Sequence, residues 1–375
     1  MNFLTPRVDF FQPKRCSLMN NQLTTPGTDR EYQIGGFQGS QKQLAQFLSR
    51  CWSDTYLGRM PFPIWSEDYL TWQLTDPQRL LAAYQGERLA AVLLGTPFDF
   101  RVASETCSGA HWSWLSVSAE DQGHGLAKKL DHRRVTLERE LGAKLIVSYR
   151  FTGSRHSKAE RPHSKSPSKK FLRKFGLWIR PIDAGRMRKW NYNRMESALT
   201  QALIPLLPTG SSTVNGNIRK LTDEDVGSCA TLLNEHTKHC AVSIAWTPER
   251  LKQHLLVNPF CHSLVMESHG RIIGLVAYHI LEFQGRTREP VAIIDLIAFR
   301  GASFRQQRQL LLDTVRRVRD QGALFVVKLR SGDVPTALMT TAGFLMKPPD
   351  MHLVLQWVNQ PAVVPRRKPL HLLWR

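Results

Sequence analysis

One order of predicted secondary structure occurs twice along this chain of 375 residues. Alternating and helically spaced apolar residues predict the order β-α-β-β-β-α-β-α-β in the first half and again in the second half. The first copy closes on Phe175-Gly176-Leu177 and the second on Ala342-Gly343-Phe344. A repeat of this length constrains the fold more than a short motif does, because each copy must bury its own apolar face. The sequence therefore predicts two related domains of mixed α and β structure.

Local patterns in the first copy predict its individual elements. Apolar residues at helical spacing predict a helix over Gln41–Tyr56, and Ser66 is a typical N-cap for a second helix. The tight turn Gln85–Arg88 predicts a hairpin between two apolar strands. The apolar run Ala143–Tyr149 predicts another strand. The segment Phe171–Leu177 predicts a short helix that ends on glycine and re-enters a strand.

The second copy repeats these signals. His262–Tyr278 predicts a hairpin that turns at His269-Gly270, and Pro290–Phe299 predicts a buried strand. Phe304–Gln321 predicts a long, basic, amphipathic helix, and Ala337–Phe344 predicts a helix that ends at a glycine. The order of elements therefore matches that of the first copy.

The two copies divide the chain into four parts. Residues 1–30 are predicted to be irregular, residues 31–200 to form the first domain and residues 218–375 the second. The link between the domains, residues 201–217, contains Pro205, Pro208, Gly210 and Gly216, a composition that suits a crossing loop.

Composition limits the classes of partner and compartment. The net charge of +20 favours anionic partners such as phosphorylated cofactors or nucleic acid. No run of about 18 apolar residues is present, so we expect no membrane span. The six cysteines are scattered without a Cys-x-x-Cys pair, which predicts free thiols in a reducing cytoplasm and no metal site.

Residues 154–170 are basic and almost free of apolar side chains, which predicts a mobile loop. Two interpretations are open for this loop. It is either a solvated surface insertion or a lid that contacts an anionic ligand beside the active site.

The stretch Trp112–Leu130 is the main candidate for a ligand-binding site. It begins as a strand, turns at Gln122–Gly125 and runs directly into a helix. Backbone N–H groups of a glycine-rich turn at a helix N-terminus converge on one point and bind phosphate with the help of the helix dipole. A plain strand-to-helix turn is the alternative, since Gly-x-Gly also occurs for conformational reasons alone.

The turn resembles the cofactor signature of the GNAT acyltransferase superfamily, Gln/Arg-x-x-Gly-x-Gly/Ala. The resemblance covers about residues 32–358 and implies two tandem acyl-CoA N-acyltransferase domains. It implies an α+β fold, with mixed, mostly antiparallel sheets flanked by helices. It also implies that acetyl-CoA or a longer acyl-CoA is the co-substrate and that an amine, on a small molecule or a peptide N-terminus, is the acceptor. The residues that the resemblance assigns to CoA are Gln122, Gly123, His124, Gly125, Leu126 and Ala127 at the pyrophosphate and Trp114, Leu115, Ser116 and Val117 at the acyl carbonyl.

A closer resemblance is to the N-myristoyltransferase family, whose fold is such a tandem. Trp65–Trp72, Trp114–Val117 and Phe151–Gly153 are similar to segments of that family, and Leu353–Arg375 has a similar length from the last strand to the last residue. In that family the terminal carboxylate takes the proton from the substrate amine. The resemblance therefore implies that the α-carboxylate of Arg375 is the base.

Several residues are candidates for catalysis. The backbone at Leu115 is expected to stabilise the developing oxyanion, and Tyr149 at the end of the neighbouring strand is either a proton donor to the CoA sulfur or a core tyrosine. Glu120 and His111 are alternatives to Arg375 as the base, and both also fit surface or loop positions. No Ser-His-Asp or Cys-His spacing is present, so direct transfer is the simpler mechanism.

The second copy lacks the second glycine of the signature, because Arg300–Arg305 reads Arg-Gly-Ala-Ser-Phe-Arg. Phe304 is expected to crowd a pyrophosphate. We therefore predict one CoA site for each chain, in the first copy, with the second copy shaping the acceptor site. The alternatives are a catalytically inactive tandem scaffold and a basic nucleic-acid-binding protein.

Overall fold

The computed structural model describes residues 31–102, 105–151, 169–192, 201–202, 204–208, 217–257, 259–349, 351–365 and 367–374. Residues 1–30, most of the basic loop, most of the predicted link between the halves, and Arg375 lie outside this description. The predicted interpretations of those segments stay predictions.

The first half contains eight strands and four α-helices among its described residues. They are β1 (Gln33–Gly36), α1 (Gln41–Tyr56), β2 (Phe62–Ile64), α2 (Glu67–Gln73), β3 (Leu80–Gln85), β4 (Arg88–Val102), β5 (Glu105–Val117), α3 (Leu126–Glu140), β6 (Leu145–Phe151), β7 (Lys169–Phe175), β8 (Leu177–Pro181) and α4 (Ala184–Trp190).

The second half repeats much of this order in the part that the structure describes. Its elements are β9 (Asn217–Lys220), α5 (Val226–His236), β10 (Val242–Ile244), α6 (Pro248–Leu255), β11 (Cys261–Ser268), β12 (Arg271–Gln284), β13 (Arg288–Phe299), α7 (Phe304–Asp320), β14 (Phe325–Leu329), α8 (Thr336–Thr341), β15 (Leu345–Met346), β16 (Met351–Trp357) and β17 (Leu370–His371).

Two sheets organise the chain. The first sheet has the order β1-β3-β4-β5-β6-β16-β7, with β10 and β17 continuing beside β4, and the second has the order β15-β8-β14-β13-β12-β11-β9, with β2 beside β12. Most neighbours are antiparallel, whereas β5–β6, β13–β14 and β10–β17 are parallel. The predicted α+β class with mixed, mostly antiparallel sheets is confirmed.

The two sheets exchange a strand. Met351–Trp357 of the second half lies between β6 and β7 of the first sheet, and Leu177–Pro181 of the first half lies between β14 and β15 of the second sheet. Each half therefore completes the sheet of the other. The division into residues 31–200 and 218–375 stays a prediction. Hydrogen bonding in both sheets crosses this division.

The helix predicted within Phe171–Leu177 is wrong. Residues Lys169–Phe175 form β7, which pairs antiparallel with β16. Gly176 marks the point where the chain passes from the first sheet to the second, and a Cβ there would lie 2.3 Å from the carbonyl oxygen of Lys347. Long-range pairing decides this segment, and local spacing does not reveal such pairing.

Capping and burial explain the first helices. Ser40 and Gln43 form a capping box at the start of α1, and the buried face of that helix includes Leu44 and Leu48. Ser66 caps α2 by accepting a hydrogen bond from the backbone N–H of Tyr69 at 3.1 Å, as the sequence predicts. Of the aromatic side chains of α2, Tyr69 packs against Trp114 of the first sheet, whereas Trp72 stacks on His254 of the second half.

The core joins the two halves. One continuous cluster of buried apolar side chains includes Leu48 and Leu94 from the first half with Leu275 and Leu355 from the second. Among the described residues, no helix is long and apolar enough to cross a membrane.

Candidate functional site

Strand β5 carries a β-bulge at the predicted acyl position. Its register with β4 pairs Ser116 with Val92 and Ser113 with Leu94, so that Trp114 and Leu115 together oppose a single residue. Trp114 has a φ of +56°, which is strained for a bulky side chain. Bulges leave a residue out of the hydrogen-bonded ladder, and strained backbone of this kind concentrates at functional sites.

A cleft opens between β5 and β6 next to this bulge. The two strands are parallel and pair from Gly109 with Leu145 to Trp112 with Ser148, where their register ends. Beyond that point, β6 stays paired with β16 on its other side. The predicted acyl residues Trp114 to Val117 therefore follow the closed end of a wedge between two strands.

The turn after β5 is anchored by a buried carboxylate. Asp121 is fully buried and accepts hydrogen bonds from Arg88 at 2.7 and 2.8 Å and from the hydroxyl of Tyr32 at 2.9 Å. Ser118 donates a further hydrogen bond to it. The hydrogen bonds from Arg88 hold the pKa of Asp121 well below its usual range, so the anchor is charged.

The glycine-rich turn presents open backbone to solvent. Gly123 and Gly125 have φ values of +93° and +73°, and a Cβ on either residue would meet nothing within 4 Å. Gly125 is the N-cap of α3 and supplies no side-chain hydrogen bond to it, while Gln122 to Gly125 are exposed. The first N–H groups of a helix have no partner within the helix. This 15-residue helix therefore begins at a backbone surface suited to an anion.

Two cationic side chains border the turn. Lys128 and Lys129 are exposed on the first turn of α3, and the ammonium of Lys129 lies 6.0 Å from the ring centroid of Tyr32. The ring of Tyr32 also lies 5.7 Å from that of His124. Positive charge and an aromatic face thus flank the exposed N–H groups.

His111 and Tyr149 lie side by side at the closed end of the cleft. Their rings are edge to face with centroids 5.2 Å apart, His111 is buried and Tyr149 is half-buried. Tyr149 follows Ser148 directly, where β6 parts from β5. The structure therefore places the predicted proton donor beside the cleft. Glu120, the third candidate base, forms an ion pair with Arg88 at 3.4 Å.

The C-terminal segment lies on the face of the first sheet that carries His111. β17 runs parallel to β10, and Leu372 and Leu373 are buried. These two leucines line a small cavity together with His111 and Val147 of the cleft strands. His371 Nδ1 lies 3.0 Å from a buried carboxylate oxygen of Asp333, an anchor of this segment that no sequence motif indicates. Arg375 lies outside the described residues.

The corresponding place in the second half is closed. Strand β13 also bulges, at Asp295, and also runs parallel to the next strand. However, Ser303 and Gln306 form a capping box at the start of α7, with Ser303 Oγ accepting from the backbone N–H of Gln306 at 3.3 Å and the Gln306 side chain accepting from that of Ser303 at 2.8 Å. Phe304 is 48 % exposed just beyond the cap. The chain's own side chains and a phenylalanine thus occupy the place of the open turn.

Comparison with known proteins extends these observations. No family model matches the sequence, and a search of curated proteins finds no match. Among solved structures, N-myristoyltransferase from Saccharomyces cerevisiae with bound myristoyl-CoA is similar with a TM-score of 0.74 at 12% identity, covering 92% of this chain and 89% of that chain. A GCN5-related N-acetyltransferase from Anabaena variabilis is similar with a TM-score of 0.52 at 12% identity, covering 88% of this chain and 73% of that chain.

These likenesses confirm the predicted architecture. Both neighbours span nearly the whole chain, so the similarity includes both halves. The chain therefore has the tandem fold of N-myristoyltransferase and is similar in fold to GCN5-related N-acetyltransferases.

Proposed function

We propose that this protein transfers an acyl group from acyl-CoA to an amine. The proposal depends mainly on three features that follow one another between Trp114 and Leu126. They are a strained bulge, an open glycine turn and a helix without a side-chain cap. The neighbours' printed activities support the proposal: one is an N-myristoyltransferase with bound myristoyl-CoA and the other an N-acetyltransferase.

In this proposal the pyrophosphate of CoA binds the backbone N–H groups from Gln122 to Ala127. The open space in front of Gly123 and Gly125 supports close approach of the phosphate oxygens. Lys128 and Lys129 add positive charge at the edge of the turn. The pantetheine arm then runs towards the cleft beside β5, which brings the thioester to the bulge.

The bulge supplies the proposed oxyanion site. The thioester carbonyl oxygen accepts a hydrogen bond from backbone N–H at Trp114 or Leu115, with Ser116 and Val117 completing the strand beside it. A preorganised donor of this kind contributes about 3–4 kcal/mol to transition-state stabilisation. The fixed packing of Trp114 against Tyr69, with ring centroids 5.8 Å apart, supports preorganisation.

The proposed reaction is direct transfer. The neutral amine nitrogen of the acceptor attacks the thioester carbonyl carbon, the C–S bond breaks, and the amine loses one proton to a base while the CoA sulfur gains one. Tyr149 is the proposed donor to sulfur, because it lies at the end of the cleft. The α-carboxylate of Arg375 is the proposed base, and the burial of Leu372 and Leu373 against the cleft strands supports it.

An acceptor-dependent assay tests this function. Purified protein is incubated with acetyl-CoA and a library of peptides that have a free N-terminus, and acylated products are detected by mass spectrometry. A peptide library with blocked N-termini is the control. We expect CoA release and acylation only with free amines. Release of CoA at the same rate with blocked peptides would show a thioesterase and contradict the proposal.

Shortening the chain tests the base. Removing Trp374 and Arg375 is expected to lower kcat at least about 100-fold, the range typical of losing a general base. CoA affinity is expected to stay nearly unchanged, since the proposed pyrophosphate site is the turn at Gly123, which Asp121 anchors. Full activity of the shortened chain would rule out a base in the last two residues.

A further inference from the structure

We propose that the site selects short acyl groups, because aromatic side chains fill both faces of the first sheet where β5 and β6 separate. The proposal rests on the function above and deepens it by naming the substrate class. Four residues on one face, Trp52, Trp65, Tyr69 and Trp114, are called the aromatic wall below.

The closed end of the cleft limits the path of an acyl chain. β5 and β6 pair up to Trp112 and Ser148, so a chain that extends from the bulge towards these residues meets paired backbone. It must then turn to one face of the sheet or the other. The two faces are covered by α3 on one side and by α1 and α2 on the other.

The face towards α3 is filled by Trp112. This side chain is 1 % exposed, and its indole N–H donates to Glu138 at 2.8 Å. Arg79 holds the same carboxylate with two hydrogen bonds, at 2.8 and 3.0 Å. A Cβ on Gly95 would lie 2.6 Å from the Trp112 ring, so the ring lies directly on the neighbouring strand. Displacing Trp112 would break a buried ion-paired network, which is costly.

The opposite face is filled by the aromatic wall. Trp114 packs against Trp65 and Tyr69 with ring centroids 6.2 and 5.8 Å apart, and Trp65 packs against Trp52 at 4.7 Å. The indole N–H of Trp52 donates to Ser116 Oγ at 2.9 Å, which ties the wall to the strand of the acyl site. Trp65, Tyr69 and Trp114 are all buried.

The space that remains on this face is small. The cavity lined by His111, Val147, Leu372 and Leu373 leaves essentially no space that would admit even a water molecule. Pockets that enclose a drug-sized ligand have volumes of about 300–1,000 Å³. Each buried methylene of a ligand normally raises affinity roughly fourfold. A site that cannot bury them forfeits this gain and must move aromatic side chains to admit a long chain.

A series of acyl-CoAs tests the proposal by binding, without an acceptor. Dissociation constants of CoA, acetyl-CoA, butyryl-CoA and octanoyl-CoA are measured by calorimetry. We expect octanoyl-CoA to bind at least about tenfold more weakly than acetyl-CoA. Equal or tighter binding of octanoyl-CoA would overturn the proposal. If CoA itself does not bind, the proposed function fails, which is a result distinct from binding with a preference for the long chain.

A substitution in the wall locates the selectivity. Trp65→Ala is expected to bring octanoyl-CoA to within about threefold of acetyl-CoA. Trp190→Ala, which removes an equally buried tryptophan that packs against Phe325, is the matched control and should leave the ratio unchanged. Trp65→Leu serves as a milder variant if the alanine variant does not fold. An unchanged ratio in a folded Trp65 variant would contradict a role of the wall.

Discussion

The N-termini of α3 and α7 occupy matching positions in the two halves. They differ in whether a side chain of the protein accepts hydrogen bonds from their backbone N–H groups. Each follows a bulged central strand that runs parallel to the next strand. The first turn of α3 begins at Gly125 with no side-chain cap, whereas α7 begins at Ser303 inside a complete capping box. The same frame therefore offers its helix N–H groups to a ligand in one half and to its own side chains in the other.

The difference extends to the bulges. The first bulge has Trp114 at a φ of +56°, held by aromatic rings. The second has Asp295, whose buried carboxylate lies 2.9 Å from Nδ1 of His279. One half keeps a strained backbone beside an open cleft, and the other fills the matching place with an internal polar contact. The two halves therefore share a scaffold and differ in local chemistry, which is why we propose a cofactor site in the first half alone.

The largest expected effect comes from blocking the open turn. Gly125→Glu places a carboxylate where the pyrophosphate would bind and should weaken CoA binding by more than about 100-fold through steric and charge repulsion. Gly301→Glu is the matched control, since Gly301 also has a positive φ, +71°, and open space around its Cβ position. Affinity is measured by calorimetry. Equal losses in both variants would break the comparison.

The glycines that close the two halves predict a stability effect. Gly343 lies just after α8 with a φ of +82°, as a helix-ending glycine, whereas Gly176 lies where the exchanged strands cross. A Cβ at Gly176 would press on the Lys347 carbonyl, so Gly176→Ala should lower the free energy of unfolding by about 2–3 kcal/mol. Urea denaturation measures this loss. A change below about 0.5 kcal/mol would show that the crossing relaxes easily.

The sequence pattern predicts a helix before each of these glycines. The prediction is correct for Gly343 and wrong for Gly176. The structure confirms the predicted helix before Gly343. This prediction succeeds because it depends only on residues adjacent in sequence. Phe171–Leu177 contains similar local signals, yet its strand depends on pairing with residues some 180 positions later. The capped helices, the hairpin at His269-Gly270 and the glycine turn were likewise readable from adjacent residues. The strand exchange and the φ of Trp114 arise from contacts between distant segments, which spacing does not encode.

A smaller effect is expected from the anchor of the turn. Asp121→Asn removes the charged partner of Arg88 and should weaken CoA binding roughly tenfold, the size of one charge-assisted hydrogen bond. Asp225→Asn is the control in the second half, because Asp225 is also paired with an arginine, which lowers its pKa to about 2. That variant should leave CoA affinity unchanged. A matching loss of affinity in both would indicate general destabilisation.

The pH dependence of this anchor follows from the direction in which the pKa of Asp121 is shifted. Because the pKa of folded Asp121 is lowered, its stabilising contribution is complete above the carboxyl's unfolded pKa of about 3.9 and is lost as the pH falls through the folded value. The carboxylate therefore stays charged between pH 5 and 8. The tenfold difference between wild type and Asp121→Asn should be constant across that range when measured by titration. A difference that disappears near pH 6 would contradict a permanently charged anchor.

The smallest effect concerns the closed turn. Ser303→Ala removes half of the capping box of α7 and should lower the free energy of unfolding by about 1 kcal/mol. Thermal or urea unfolding detects a change of this size. CoA affinity should not change, because the cap serves only the helix. A second CoA bound by this variant would show that the cap alone had closed a latent site.

Hydrogen exchange with and without CoA tests whether the first half alone binds the cofactor. Backbone amides that bind a phosphate exchange more slowly, so each helix N-terminus reports on itself in one experiment. We expect CoA to slow exchange within residues 122–127 and to leave exchange within residues 301–306 unchanged. Protection of both turns, or of residues 301–306 alone, would contradict the assignment of a single CoA site to the first half.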